Sequence, residues 1–321
     1  MTVQHPSTDC RRQRGVSLEI VRSLLIFLSR RKLLRRWMET SSLARRFAAR
    51  FVAGTGLDQA LAVGRALNAE GIAVTLDHLG ESVTSLEEAA AARDVYLRTL
   101  SAVHDSGVQG NVSLKLTQFG MDVSGDRCRA NVAQLVERAA GLNGFVRVDM
   151  ESSEYVDRTL DLVCGLHAQY GAVGTVIQAY LFRSRQDVAM LCQRGIRVRL
   201  CKGAYLEPAS VAFARKPDVD RNYTELMRTL LDQGVYPAIA THDEKMIAAT
   251  KAYAAARRIP RESFEFQMLY GIRRDLQRQL VREGYRVRVY VPFGQAWYPY
   301  YMRRLAERPA NMLFILRNLF R

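Results

Sequence analysis

Two adjacent arginines near the C-terminus, Arg303 and Arg304, are the side chains in this sequence best suited to bind a carboxylate. Tyr300 precedes them and Glu307 follows them, and on a helix this spacing places all four residues on one face. A guanidinium fork matches a carboxylate with two parallel hydrogen bonds, and Glu307 can neutralise Arg303 at the i+4 position. Two interpretations follow: a substrate anion balances Arg304, or both arginines lie in water as ordinary surface charges.

A second group of candidate residues lies just after residue 198. On a strand Arg199 and Cys201 point to the same side, while Lys202 and Gly203 begin the next loop. Glycine permits a close backbone approach, so two cations around it suit a cofactor that carries phosphate or another electron-rich group. A phosphorylated sugar substrate fits the same pattern.

Beyond about residue 70 the chain alternates short apolar runs with longer amphipathic stretches, which indicates repeated βα units. Eight such runs favour an α/β fold of the (β/α)8 TIM-barrel type. A Rossmann nucleotide site is disfavoured because no G-x-G-x-x-G motif lies between a strand and a helix. The predicted strands are Ile72–Leu76, Val112–Leu116, Phe145–Val148, Thr175–Gln178, Val198–Cys201, Tyr236–Ala240, Phe264–Gln267 and Val287–Val291.

Polar side chains follow these predicted strands at the ends where a barrel builds its active site. A barrel without a site at its mouth would not need ionisable groups at so many strand ends, although some of them will form structural salt bridges. The pattern therefore predicts an active site at the C-terminal face. Its candidate residues are Asp77, His78, Glu81, Lys115, Asp149, Glu151, Gln178, Tyr180, Arg183, Arg199, Lys202, Tyr205, Thr241, His242, Asp243, Gln267 and Tyr290.

The formal charge of +15 is concentrated at the start of the chain. Residues 1–50 hold 12 Lys or Arg against three acids, a net charge of +9, and read as a basic amphipathic helical segment. Such a segment packs on the next domain, lies on an anionic membrane surface, or binds nucleic acid. The apolar run Leu24–Leu28 is too short to span a bilayer, and we expect neither a transmembrane helix nor a signal peptide. The expected location is the cytoplasm.

Metal and disulfide chemistry have little support in this sequence. The five cysteines are widely spaced and form no C-x-x-C motif, and the five histidines form no H-E-x-x-H motif. We therefore predict no metal site.

The order and spacing of several motifs closely resemble the proline dehydrogenase family. The resemblance covers roughly residues 70–320. The chain is similar to the compact monofunctional bacterial form of the family, since no aldehyde dehydrogenase domain follows. The matching stretches are Gln178–Arg183, Arg199–Tyr205, Ala240–Asp243, Phe264–Gly271, Arg288–Gly294 and Tyr300–Arg308.

The resemblance implies a distorted (β/α)8 barrel that holds FAD, with N-terminal helices and a final helix over the barrel mouth. It also implies that L-proline is oxidised to Δ1-pyrroline-5-carboxylate by hydride transfer from C5 to flavin N5, and that the electrons pass to a membrane quinone. We expect residues 1–65 to form the basic helical segment and residues 66–321 the catalytic barrel. No nucleic acid partner is expected, whereas the basic segment is expected to contact the inner face of the membrane peripherally.

The same resemblance implies a role for each matching position. The residues implied in the catalytic centre are Asp149 and Arg199. The residues implied to bind substrate are Lys115, Tyr205, Leu269, Tyr290, Tyr300, Arg303 and Arg304. The residues implied to bind FAD are Met150, Gln178, Arg199, Cys201, Lys202, Gly203, Thr241 and His242.

The sequence departs from the family motif at position 201, and two other functions compete with the one that the resemblance implies. Position 201 is usually aliphatic in the family motif, so Cys201 is either a small packing residue or, beside cations, an activated thiol. Lys202 could instead form a Schiff base in a barrel aldolase or isomerase acting on a phosphorylated substrate. The basic segment could serve a nucleic-acid-binding protein, but that function leaves the strand-end polar residues without a purpose.

Overall fold

The computed structural model describes residues 49–80, 82–298 and 300. Eight parallel strands form a closed barrel in chain order, with the first strand paired to the eighth. The predicted α/β barrel and all eight predicted strands are therefore confirmed. The strands are β1 Ile72–His78, β2 Gly110–Leu114, β3 Val146–Val148, β4 Val173–Gln178, β5 Val198–Cys201, β6 Ala238–Ala240, β7 Glu265–Leu269 and β8 Arg286–Phe293.

Within the described residues, one α-helix precedes the barrel and seven lie in the connections between strands. The first helix crosses the boundary that we placed between residues 65 and 66. The predicted helical segment before residue 49 and most of the predicted final helix lie outside the described residues. The helices are α1 Leu57–Ala69, α2 Leu86–Asp105, α3 Gly125–Gly141, α4 Val156–Tyr170, α5 Ser184–Gln193, α6 Lys216–Gln233, α7 Glu244–Ala256 and α8 Arg274–Arg282.

Local sequence signals fix where several of these helices begin and end. The Ser85 side chain accepts a hydrogen bond from the Glu88 backbone and so caps the N-terminus of α2. Asp243 caps α7 in the same way by accepting from the Lys245 backbone. Helix α4 ends at Tyr170 and is followed by Gly171, whose positive φ of 71° suits glycine. The caps at Ser85 and Asp243 fix where the loops after β1 and β6 end, and these loops carry strand-end residues.

Most strands alternate an apolar outer face with an inner face that is unusually polar. In β1, Ile72, Val74 and Leu76 are fully buried in the hydrophobic core between the sheet and the helices. Thr75 and Asp77, also buried, lie on the opposite face, as the period of two requires. Barrel interiors are usually filled with bulky branched apolar residues. Here buried polar residues inside the barrel must instead satisfy one another.

Candidate active site

Arg199 on β5 is the centre of a polar cluster at the C-terminal end of the barrel. Its Nη1 donates to Asp149 Oδ1 at 2.8 Å and to Ser113 Oγ at 3.3 Å. Its Nε donates to Gln267 Oε1 at 2.5 Å. These partners lie on or next to three other strands, so the side chain crosses the barrel interior. Its Nη2 is buried and has no hydrogen-bond partner among the described residues.

Asp77 and Asp149 form the acidic side of this cluster. The Tyr290 hydroxyl donates a short hydrogen bond to Asp77 and lies 3.3 Å from Asp149 Oδ2. Lys115 Nζ lies 3.5 Å from Asp77 Oδ2 and 3.8 Å from Asp149 Oδ2. Ser113 Oγ also donates to Asp149 Oδ1 at 2.6 Å. Residues that are far apart along the chain therefore share one network of charge-assisted hydrogen bonds.

The two tyrosines of the network remain neutral hydrogen-bond donors. Burial, followed by the negative charges of Asp77 and Asp149, raises the pKa of Tyr290 well above its ordinary value. Burial and Asp77 raise the pKa of Tyr96 in the same direction. The Tyr96 hydroxyl lies 2.8 Å from both Asp77 Oδ1 and the Ser113 carbonyl oxygen. It therefore fixes the carboxylate of Asp77 from the helix side.

A second buried group lies deeper in the barrel and is joined to the first through Gln267. The Gln267 amide accepts from Arg199 and donates to Glu265 Oε1 at 2.5 Å. Arg288 Nε donates to the same Glu265 oxygen at 2.8 Å and Arg288 Nη1 to the Val74 carbonyl at 2.9 Å. Burial raises the pKa of Glu265, but the charge and hydrogen bonds of Arg288 outweigh it and lower the pKa below its ordinary value.

Gln178 and Gly203, both predicted to bind cofactor, lie at the ends of neighbouring strands. Gln178 Nε2 donates to the Glu151 carbonyl at 2.8 Å, and its Oε1 accepts from the Ala204 backbone at 3.2 Å. The amide is thus held between the loops that follow β3 and β5. Gly203 has φ +131°, and a Cβ there would approach the Tyr180 ring to 2.4 Å. The Tyr180 ring therefore excludes a side chain at position 203, and the expected close approach of a cofactor to Gly203 stays a prediction.

Lys202 is held by two carboxylates. Its Nζ lies 2.5 Å from Asp220 Oδ1 and 2.7 Å from Asp243 Oδ2. Burial raises the pKa of Asp220, but hydrogen bonds from Lys202 and Lys216 outweigh it and lower the pKa. A Schiff-base lysine must present a neutral amine to a carbonyl group. Lys202 Nζ is instead engaged in ion pairs with Asp220 and Asp243, which argues against the aldolase interpretation.

The loop after β6 carries Thr241 and His242 toward β7. The Leu269 backbone N–H donates to His242 Nε2 at 3.0 Å, which assigns the proton of a neutral imidazole to Nδ1. Thr241 Oγ1 accepts from the Asp243 backbone at 3.0 Å, and its side chain is buried. Both predicted residues, and Leu269 beside them, therefore stand at the barrel mouth.

Three further predicted residues differ in their environments. Met150 is buried in the hydrophobic core, and Tyr205 is exposed in the loop after β5. Burial raises the pKa of the Cys201 thiol to about 12, so the thiol stays protonated near neutral pH. This supports the packing interpretation of Cys201 over the activated-thiol one.

The structure places Tyr300 in a buried position, while Arg303, Arg304 and Glu307 lie outside the described residues. Sequence reasoning assigned no role to Tyr96 or Ser113, which hold Asp77 and Asp149. Period-two alternation could have found Ser113, because it lies two residues before Lys115 on the same face of β2. Tyr96 lies on α2, and no local sequence signal links it to Asp77.

No helix in the described part of the chain is long and apolar enough to cross a membrane.

Comparison with known proteins gives a consistent result. The family model described as proline dehydrogenase matches residues 60–317. The chain is 40% identical over 304 residues to proline dehydrogenase 2 of Bacillus subtilis, covering 94% of this chain and 99% of that protein. It is 44% identical over 279 residues to proline dehydrogenase of Deinococcus radiodurans, covering 85% and 90% of the two chains.

A solved structure extends the similarity to the fold. It is that of proline utilization A (PutA) from Bdellovibrio bacteriovorus inactivated by N-propargylglycine, with a TM-score of 0.76 and 28% identity. The match covers 82% of this chain but 32% of that one, so this chain corresponds to about a third of the larger protein. The matched family model, the full-length relatives and the barrel agree, and the chain belongs to the proline dehydrogenase family.

Proposed function

We propose that this enzyme oxidises L-proline to Δ1-pyrroline-5-carboxylate with FAD as the hydride acceptor, and that the electrons then pass to a quinone. One observation supports this proposal above the others. Arg199 is a buried cation at the barrel mouth, and its Nη2 has no hydrogen-bond partner among the described residues. A buried donor of this kind calls for an acceptor. An electron-rich flavin ring suits it, and a cation favours the anionic reduced flavin.

The residues around Arg199 fit a flavin. When bound, FAD would accept a hydride from C5 of the proline ring. Gln178, a fixed amide, would lie against the pyrimidine edge, and Arg199 would lie near N5. Polar and backbone groups at the mouth would hold the rest of the cofactor. These groups belong to Cys201, Lys202, Gly203, Thr241 and His242, and the apolar Met150 would pack against the cofactor beside them.

Proline would bind on the same face of the barrel through its carboxylate and its ring. Lys115 and Arg304, with Arg303, would bind the carboxylate, and Tyr205, Leu269, Tyr290 and Tyr300 would surround the ring. Forming the C5–N double bond removes a hydride from carbon and a proton from nitrogen. Asp149, held by Arg199 and Ser113, keeps Arg199 in place while the substrate is oriented.

Purification tests this function directly. We expect a yellow protein whose bound-flavin absorbance bleaches when L-proline is added anaerobically. D-proline at the same concentration is the control, because it presents the same groups in the wrong arrangement. A colourless protein that takes up no added FAD would refute the proposal. A flavin-loaded protein whose flavin stays oxidised when L-proline is added would also refute it.

The carboxylate role of the arginine pair predicts unequal effects of two matched substitutions. We expect Arg304→Met to raise KM for L-proline about tenfold to a hundredfold, the equivalent of one charged hydrogen bond. Arg303→Met should have a smaller effect, because Glu307 shares Arg303. Steady-state kinetics and flavin content are measured for both variants. Unchanged KM in Arg304→Met would refute the clamp.

The basic N-terminal segment leads us to propose peripheral contact with the membrane that holds the quinone. Its net charge of +9 over residues 1–50 is attracted to anionic lipid. Deleting residues 1–45 should abolish binding to vesicles that contain anionic lipid, while neutral vesicles bind neither form. Equal binding of full-length and truncated protein to anionic vesicles would contradict this contact. The cytoplasmic face of the membrane is the proposed location.

A further inference from the structure

A cavity of about 560 Å³ opens at the N-terminal end of the barrel, opposite the candidate active site. The first residues of several strands line it, including Gly110 on β2 and Arg286 on β8. Its volume is typical of small-molecule sites. The N-terminal face of a barrel usually contributes to stability and not to catalysis. Charged side chains around a cavity at this face are therefore unexpected.

The cavity lining carries an excess of positive charge. Arg197, Arg286 and Arg288 line it together with one acidic residue, Glu265. Arg288 forms an ion pair with Glu265 at 2.8 Å. Arg197 and Arg286 are exposed, and within the described residues neither has a carboxylate partner. Two guanidinium groups at the rim are therefore available to an anion.

Tyr236 holds these two arginines at the rim. The Arg197 and Arg286 guanidinium carbons lie 5.5 Å and 6.0 Å from the centre of its ring. The Tyr236 hydroxyl donates to Glu265 Oε2 at 3.2 Å, and this bond fixes the ring beside Glu265 in the cavity wall. The backbone of Tyr236 has φ +46°, an uncommon conformation for a bulky residue. Such strain persists when surrounding contacts impose it and is concentrated at functional sites.

A further buried cation lies beside the cavity. Arg147 donates to the carbonyl oxygens of Arg197 at 2.7 Å and Thr175 at 2.9 Å, and its guanidinium lies 4.9 Å from the ring centre of Phe145, which lines the cavity. Its Nε is buried and has no hydrogen-bond partner among the described residues. Burial and the charge of Arg199 lower the pKa of Arg147. A nearby anion would offset that desolvation.

We propose that this cavity binds one small multivalent oxyanion, carrying phosphate or carboxylate groups, between Arg197 and Arg286. Guanidinium forks bind both kinds of group with parallel hydrogen bonds. The aromatic rings beside the arginines keep the forks oriented, so little side-chain freedom is lost on binding. The first 50 residues of the chain carry +9 and are therefore a poor occupant for a cationic cavity. The ligand is an external anion.

Binding is tested on the flavin-loaded protein with saturating FAD, so that the diphosphate of a flavin already occupies its own site. Equilibrium dialysis measures pyrophosphate and, separately, citrate, at constant ionic strength. We expect one bound anion per chain, and an affinity that falls at least about tenfold in the double variant Arg197→Gln, Arg286→Gln. Tighter binding of pyrophosphate than of citrate would indicate a phosphate ligand, and the reverse order would indicate a carboxylate ligand.

The matched control is Arg194→Gln, Arg282→Gln, which removes the same charge from two exposed arginines outside the cavity. It should bind both probes as the wild type does. Circular dichroism and flavin content verify folding of both double variants. Equal loss of affinity in the two variants would reduce binding to net charge and overturn the proposal, as would binding of neither probe to the wild type.

Discussion

Replacing Arg199 with Gln is expected to slow flavin reduction by L-proline about a hundredfold to a thousandfold, the usual effect of removing one preorganised charged donor. Arg199 bonds Asp149, Ser113 and Gln267 while its Nη2 stays unpartnered. Gln can replace one of these bonds but carries no charge to stabilise reduced flavin. The rate is measured as anaerobic bleaching in a stopped-flow instrument at saturating proline, with excess FAD.

The control for this variant is Arg194→Gln, which removes an exposed charge at the C-terminus of α5. We expect its bleaching rate to match that of the wild type. Asp149 retains Ser113 and Lys115 when Arg199 is lost, so the barrel should still fold. A folded, flavin-loaded Arg199→Gln protein that bleaches within twofold of the wild-type rate would remove Arg199 from the catalytic centre.

The second large effect is on stability. Glu265→Gln should lower the free energy of unfolding by about 3–5 kcal/mol, because it leaves Arg288 with no carboxylate partner at a largely buried position. The same change in an exposed pair, Glu70→Gln opposite Arg278, should cost far less, because solvent screens the pair. Urea unfolding of the flavin-loaded proteins measures both. Similar losses in the two variants would show that burial does not decide the cost.

The pH dependence of stability gives a second measure of Glu265. Since its pKa is lowered in the folded state, its ionisation stabilises the fold above the ordinary pKa of 4.5. That stabilisation is lost as the pH falls through the lower, folded-state pKa. We therefore expect the wild type to lose more stability between pH 5 and pH 3 than Glu265→Gln does. Parallel losses in the two proteins would assign acid unfolding to other carboxylates.

The barrel and much of its mouth were predictable from sequence because both depend on local periodicity. Each strand appears as an apolar run, and the residue after each run lies at the C-terminal face in any parallel barrel. Asp77, Lys115 and Asp149 follow this rule, and the structure brings them together. The pairing among them was not predictable, because it depends on barrel curvature and side-chain length.

Other features depended on contacts between distant residues and could not be predicted. Lys202 reads as a free cation in sequence, yet Asp220 on α6 and Asp243 after β6 hold it. Tyr96 lies on a helix whose pattern predicts packing, and its contact with Asp77 depends on how that helix crosses the sheet. Glu265 occupies the inner face of β7, where the strand pattern alone predicts an apolar residue.

Gln267 has a consequence for where protons can travel in this enzyme. It joins Arg199 at the mouth to Glu265 in the interior, so a continuous hydrogen-bonded chain runs along the barrel axis. An amide has no titratable proton at ordinary pH, and a guanidinium does not release its own. The chain therefore transmits polarity without conducting protons. In the proposed oxidation, a proton released from the proline nitrogen would therefore leave through the mouth of the barrel, on the side from which the substrate enters.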